Sequence, residues 1–287
     1  MIAKLMIIIR RMANMVLFRT WYLYRLLFKP YSLEIHLAEH CNLNCAGCNH
    51  YSPLAEPAFC NLEQLESSLR KLVTIRKSLR TIRLLGGEPL LNPDIVDIFR
   101  LVREYLKDSK IELVTNGVLL MPNRKKQISD TFWEACRNYD IIILLTIYPI
   151  NLNYSEIEDT CKKHGVRVKI WGDRRVHLAF HLFRLNPAGC GSLNQYYHCS
   201  EIGCMQLAGD KIYPCAESAY VRHLNKAFGY EFKHRNGDYI EVHKIKNIFT
   251  LWLFRLRRKP FCSYCVFPRI SMDWKQSERK VGEWIEL

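Results

Sequence analysis

Between residues 33 and 171, short apolar runs of strand length alternate with longer stretches of helical periodicity, and this alternation leaves few folds open. Leu33–Leu37, Thr81–Leu85, Ile111–Thr115, Ile141–Ile147 and Val166–Trp171 read as strands. Between them, residues 61–79 place Leu62, Leu65, Leu69, Leu72 and Leu79 at helical spacing. Asn92 and Pro93 suit the N-cap and first turn of a helix running to about Lys107. Residues 124–138 form another helix, and Ser155 with Glu158 makes a capping box for one that Gly165 stops. Parallel strands need crossover connections, so the pattern predicts an α/β fold: a parallel sheet with helices on its outer face. With five or six such units, the expected architecture is a partial (β/α)6-type barrel over residues 31–185.

The alternation ends near residue 175. Beyond it come cysteines, aromatics and two short strand-like runs, Met205–Leu207 and Lys211–Tyr213, around a turn at Ala208-Gly209-Asp210. A helix is expected at about 247–257. Residues 186–287 therefore read as a second, smaller, cysteine-rich hairpin-helix unit.

Residues 1–30 form a third piece. They carry Lys4, Arg10, Arg11, Arg19, Arg25 and Lys29 and no acid. On a helix, Lys4, Arg11, Arg25 and Lys29 share one face, opposite Leu5, Ile9, Met12, Val16, Leu23 and Leu27. The apolar run is too broken by arginine for a transmembrane span and too short for a signal peptide. Residues 1–29 thus suit an anionic membrane surface, or packing against the sheet. The formal net charge of +14 points the same way, to an anionic partner. Its concentration in the first residues argues against nucleic acid, which calls for basic and aromatic residues interleaved on one surface.

Twelve cysteines are grouped rather than scattered, which reads as metal ligation in a reducing, cytoplasmic compartment, peripheral to the inner membrane face if residues 1–29 bind lipid. Cys60, Cys136 and Cys161 stand apart, the last two in helical segments as ordinary thiols. Cys41, Cys45 and Cys48, in Cys41-Asn-Leu-Asn-Cys45-Ala-Gly-Cys48, follow the first strand. Three thiolates so spaced can ligate three irons of a [4Fe–4S] cluster and leave the fourth open. A zinc site would need a fourth ligand, for which His50 or Cys60 is available.

This segment, Gly86-Gly87-Glu88-Pro89 after the second strand and Thr115-Asn116-Gly117 after the third together resemble the radical SAM superfamily over roughly residues 33–172. The resemblance implies that the open iron chelates S-adenosylmethionine. It implies that Gly86, Gly87 and Glu88 receive the amino group, and that Thr115, Asn116 and Thr146, at later strand ends, hold the rest of the molecule. One electron would cleave the cofactor to a 5′-deoxyadenosyl radical that takes hydrogen from a substrate C–H bond. A reductant such as flavodoxin or ferredoxin is implied. The family's frequent aromatic residue before the third cysteine is Gly47 here, so Tyr51 is the candidate to cover adenine.

The later cysteines resemble a twitch domain, the shortened relative of the SPASM domain. That resemblance implies one auxiliary [4Fe–4S] cluster on Cys215, Cys262 and Cys265 with either Cys199 or Cys204; the same thiolates would also suit zinc. Such a cluster would accept an electron, making the net reaction an oxidation, or bind substrate. Relatives of this kind oxidise sugar alcohols or modify peptides. The chain leaves no room for a peptide-recognition domain, which favours a carbohydrate-like or other small substrate. Arg174, Arg175 and His177 could face it, or form a solvated loop. The competing readings are a peptide-modifying maturase, a non-catalytic iron–sulfur carrier or scaffold, and a zinc-dependent nucleic-acid binder.

Overall fold

The computed structural model describes residues 32–76, 79–122, 128–172, 179–191, 199–201, 204–267 and 269–286. The basic N-terminal segment and the Arg174, Arg175 and His177 loop lie outside these residues.

Five parallel strands, β1 (Ser32–His36), β2 (Thr81–Leu85), β3 (Lys110–Thr115), β4 (Ile141–Thr146) and β5 (Val168–Trp171), pair in sequence order. Their connections carry helices α1 (Leu62–Ile75), α2 (Ile95–Tyr105), α3 (Asp130–Asn138) and α4 (Tyr154–Lys163). The period-2 alternation of each strand separates two faces. On one, Leu33, Ile35, Ile82, Leu84, Ile111, Leu113, Ile143 and Leu145 pack in one core with Leu65, Leu69, Ile98, Phe99, Phe132 and Ile157 of the helices. The other face carries Glu34, Arg83 and Glu112 on β1 to β3, beside Ile142 and Leu144 of β4. Arg83 donates to Glu34 at 3.3 Å and to Glu112 at 3.4 Å, and Gln206 donates to Glu34. Burial pushes the Glu34 carboxyl up, against the opposing pull of Gln206 and Arg83.

The helix starts differ in detail from the sequence reading. Asn61 caps α1, its side chain accepting from the Gln64 amide. Asn92 does not cap α2: Asp94 holds that place, and Asn92 accepts from the Asp94 amide while donating to the Leu37 carbonyl at 2.7 Å. A 3₁₀ turn at Pro89–Leu91 precedes the helix. Asn153, not Ser155, caps α4.

The expected hairpin forms as β7 (Cys204–Ala208) and β8 (Lys211–Tyr213), after the short β6 (Ala179–Leu182). It does not build a sheet of its own. β7 pairs in parallel with the free edge of β1, Ser32 opposite Cys204, and β9 (Ile240–Glu241) follows β8. The result is one eight-stranded sheet ordered β5-β4-β3-β2-β1-β7-β8-β9. β6 pairs with β10 (Ile270–Asp273) outside it.

Among the described residues, the second half also carries the helices α5 (Ala216–Phe228) and α6 (Ile248–Leu256). The sequence reading missed α5, although Ala216, Ala219, Tyr220 and Leu224 follow helical spacing and Gly229 ends it in a left-handed conformation. It centres a second core of Tyr51, Leu185, Tyr213, Val221, Phe261 and Trp284. Among the described residues, no helix is long and apolar enough to cross a membrane.

Candidate cofactor site and cysteine clusters

The ends of β1 to β4 lie side by side in the parallel sheet, and the residues that follow them meet there. The Cys41–Cys48 loop leaves β1 and is held from two sides. On one side, the backbone after β2 runs along it, with Gly87 N–H donating to Ala38 O at 2.7 Å and Glu88 N–H to His40 O at 3.0 Å. The two glycines are needed for this approach. A Cβ on Gly86 would stand 2.5 Å from Ala38 O, and one on Gly87 2.1 Å from His40 O. Their role in the described chain is thus to let β2 touch the cysteine loop.

Glu88 is fully buried and gathers the next strand end. Its carboxylate accepts from Thr115 Oγ1 at 2.7 Å, from the Asn116 amide at 3.1 Å and from the Leu90 amide at 3.1 Å. Burial pushes it up to about 7 against those three hydrogen bonds. Asn116 reaches onward, donating to Asn42 Oδ1 at 2.7 Å and lying 3.7 Å from Cys41 Sγ. Thr146 ends β4 and is buried.

On the other side, the C-terminal segment straps the loop. Ala46 N–H donates to Lys275 O at 3.0 Å, Ser277 N–H to Asn44 O at 2.7 Å, and Asn44 Nδ2 to Ser277 O at 2.7 Å. Trp274 Nε1 donates to Cys45 Sγ at 3.1 Å, and Leu43 N–H to Cys41 Sγ at 3.3 Å. These donors suit thiolates, which bury negative charge. Without a metal, burial wins and pushes the Cys45 thiol up to about 12. Metal binding would therefore release protons.

Neither proposed fourth zinc ligand faces this loop. His50 bonds to Asn49 Oδ1 and stacks on His36, and Cys60 lies by Asn92. Among the described residues, no three His, Cys, Asp or Glu side chains close around a single ion.

The expectation for Tyr51 fails. Its ring is fully buried in the second core and has no exposed face to offer adenine. Gly47 is left-handed, with φ +63°, and a Cβ there would stand 2.2 Å from Leu182 Cδ1, so Leu182 occupies the space an aromatic neighbour would need. Two residues that the sequence reading missed line the site. Tyr148, just beyond β4, has Cys45, Cys48, Cys41 and Glu88 as charge neighbours, and Trp274 packs edge-on to it. Trp274 is more than 220 residues from Cys45 (|i−j| 229), so no local motif signals it.

The later cysteines separate. Cys215 caps α5, and its strongest charge neighbours after burial are Glu217, Cys265, Cys262 and Cys199. Cys265 likewise faces Cys262, Glu217 and Cys199. Cys199 accepts from Arg269 Nη2 at 3.0 Å. Cys204 starts β7 and is instead a charge neighbour of Arg83. Residues 186–191 wrap the Cys262–Cys265 turn, with Cys190 N–H and Gly191 N–H both donating to Ser263 O.

A sequence profile described as "Radical SAM superfamily" matches residues 35–167. The chain is 36% identical over 89 residues to a probable GTP 3′,8-cyclase of Pyrococcus abyssi, which covers 31% of this chain and 28% of that protein. It is 33% identical over 95 residues to the GTP 3′,8-cyclase of Aliarcobacter butzleri, 33% of this chain and 29% of that protein. The match thus spans less than a third of these curated relatives. Among solved structures, BtrN in complex with AdoMet and 2-DOIA is 13% identical, covers 77% of this chain and 81% of that chain, and gives a TM-score of 0.46. The structure of anSMEcpe with bound AdoMet is 23% identical over 49% of this chain and 43% of that chain, with a TM-score of 0.39.

Proposed function

The chain carries a radical SAM domain over residues 35–167, whose cofactors are a [4Fe–4S] cluster and S-adenosylmethionine, and from that premise we propose that it is an enzyme that removes a hydrogen atom from a C–H bond of a small substrate. Cys41, Cys45 and Cys48 are the cluster ligands in this reading. Gly86, Gly87, Glu88, Thr115, Asn116 and Thr146 form the bay for S-adenosylmethionine. When bound, the cluster supplies the one electron that splits this cofactor into methionine and a 5′-deoxyadenosyl radical.

The observation that carries the reading is the clasp from Cys41 through Asn116 to Glu88 and Thr115. It ties the cysteine loop to the ends of β2 and β3 by hydrogen bonds of 2.7 to 3.1 Å, apart from the longer contact of Asn116 with sulfur. A non-catalytic electron carrier needs the thiolates but not this clasp. The chain's own residues hold the loop and present the Leu43 amide and the Trp274 indole to sulfur.

The auxiliary cluster belongs to this proposal. Cys199, Cys215, Cys262 and Cys265 are its ligands, with Cys204 excluded because its charge neighbour is Arg83. Such a cluster, held by these residues, would supply an acceptor for the electron left on the substrate and would make the net reaction an oxidation. A flavodoxin- or ferredoxin-type donor supplies electrons to the first cluster. The substrate in this reading is small and carbohydrate-like rather than a peptide side chain. The curated relatives it resembles over about a third of its length are GTP 3′,8-cyclases, so GTP is one substrate to test. Binding of residues 1–29 to an anionic membrane remains part of the proposal.

Anaerobic reconstitution with iron and sulfide, followed by reduction with S-adenosylmethionine, tests the reading. The expected product is 5′-deoxyadenosine, with deuterium transferred into it from the true substrate among labelled polyols, peptides and GTP. A chain that loads iron fully and forms no 5′-deoxyadenosine would support the electron-carrier reading instead.

A further inference from the structure

Tyr51 stands between the two groups of cysteines. It lies three residues after Cys48, and its amide donates to the Cys48 carbonyl at 3.0 Å. Its φ is +55°, a left-handed conformation that a bulky residue adopts only where its surroundings hold it. The surroundings here are the second core. The ring is 0% exposed, among Ala216, Tyr220, Phe261 and Trp284, and Cys265 packs against the same cluster. Trp284 Nε1 donates to Cys48 O at 2.9 Å and closes the turn from outside. The turn thus carries the ring into the second core.

The hydroxyl at the end of that ring has no hydrogen-bond partner among the described residues. Its strongest charge neighbours are Glu217, Cys265, Cys215 and Cys48. A buried hydroxyl left unpaired is destabilising. Glu217, 2% exposed and two residues after Cys215, also has an unpartnered oxygen, Oε1. The orphaned phenol, with Cys215 and Cys265 among its charge neighbours, marks a place where a sulfur-rich group would fit, whereas the Glu217 oxygen could bond to sulfur only when protonated. The phenol can donate to sulfur, and sulfur on an iron cluster carries negative charge.

We infer that Tyr51 is a positioning residue for the auxiliary cluster, its hydroxyl donating a hydrogen bond to a sulfur of the cluster held by Cys215 and Cys265. This rests on the reading of those cysteines as a [4Fe–4S] site. A donor at cluster sulfur stabilises the more negative, reduced state, so it raises the reduction potential. Tyr51 thereby makes this cluster the better electron acceptor, and it joins that acceptor to Cys48 through three residues of chain.

The test uses the full chain with Cys41, Cys45 and Cys48 all replaced by Ala, so that any remaining cluster is the auxiliary one. Iron content is measured first. Absence of iron here would overturn the auxiliary reading and the Tyr51 inference with it, before Tyr51 is touched. With the cluster present, Tyr51→Phe is titrated by redox-poised electron paramagnetic resonance. The expected result is a shift to more negative potential, with loss of one exchangeable deuteron coupling in D₂O. Stability of the iron-free chain stays the same or rises, because the lost hydroxyl had no partner. Fluorotyrosine at position 51, a stronger donor of nearly the same shape, shifts the potential the opposite way. A loaded cluster whose potential and deuteron coupling ignore both replacements would overturn the inference while leaving the auxiliary site standing.

Discussion

Gly87 contributes no functional group, yet the cysteine loop depends on it. A methyl group there would meet His40 O at 2.1 Å and Cys41 N at 2.9 Å, both backbone atoms that cannot rotate away. Gly87→Ala should displace Cys41 and reduce iron at the first cluster severely, although no ligand is removed; iron per chain after reconstitution measures it. Thr115→Val removes one donor to the buried Glu88 carboxylate. The expected cost is about 1–3 kcal/mol in chemical denaturation, since the hydrogen bond is to a charged group. At this scale the sequence was informative in kind but not in partner. Gly86, Gly87, Glu88, Thr115 and Asn116 are recognisable by type and spacing. That the glycines admit a neighbouring loop, and that Glu88 accepts from Thr115 and Asn116, are facts of packing between strands about 28 residues apart (|i−j| 27 and 28). Tyr51 shows the opposite outcome: an aromatic residue near the loop looked like a cofactor cover, and its left-handed turn sends it into a core.

Each cysteine group is held by an element of the second half of the chain. The strap at 274–277 grips the Cys41–Cys48 loop through Asn44, whose side chain and carbonyl both bond to Ser277. Asn44→Ala should cost about 1–2 kcal/mol and speed loss of iron from the first cluster to a chelator, with the auxiliary iron unaffected. Helix α5 supports the other cysteine group. Leu224 is 0% exposed in the second core. Leu224→Ala should cost about 2–5 kcal/mol, seen as a lower denaturation midpoint, because a cavity opens beneath the helix that begins at Cys215. The strands and most helices of the first half were legible because period-2 and period-3.6 patterns are local. Their caps were less so: Asn92, Ser155 and Pro93 are common at helix starts, and only the chain's path decided for Asp94 and Asn153. The strap was invisible, since its partners are more than 220 residues away in sequence (|i−j| 229 and 233).

At the scale of the molecule, the parallel sheet, the leading cysteine motif and the clustering of the later cysteines all followed from pattern. The way the two halves join did not. β7 adds to the open edge of β1, so the first strand of the chain's sheet is an interior one. Nothing in a three- to five-residue apolar run says which edge it will find. This joining sets Cys204 at the start of an interior strand and leaves Cys199 with Cys215, Cys262 and Cys265. The account as a whole holds that one chain carries two separate clusters, of which only the first cleaves S-adenosylmethionine. The decisive measurement pairs iron content with 5′-deoxyadenosine formation in the reconstituted full chain and in its Cys41→Ala/Cys45→Ala/Cys48→Ala variant. The account predicts about eight irons and product for the first, and about half the iron with no product for the second. Product formation that survives loss of all three cysteines, or a variant that loses every iron while still folded, would contradict it.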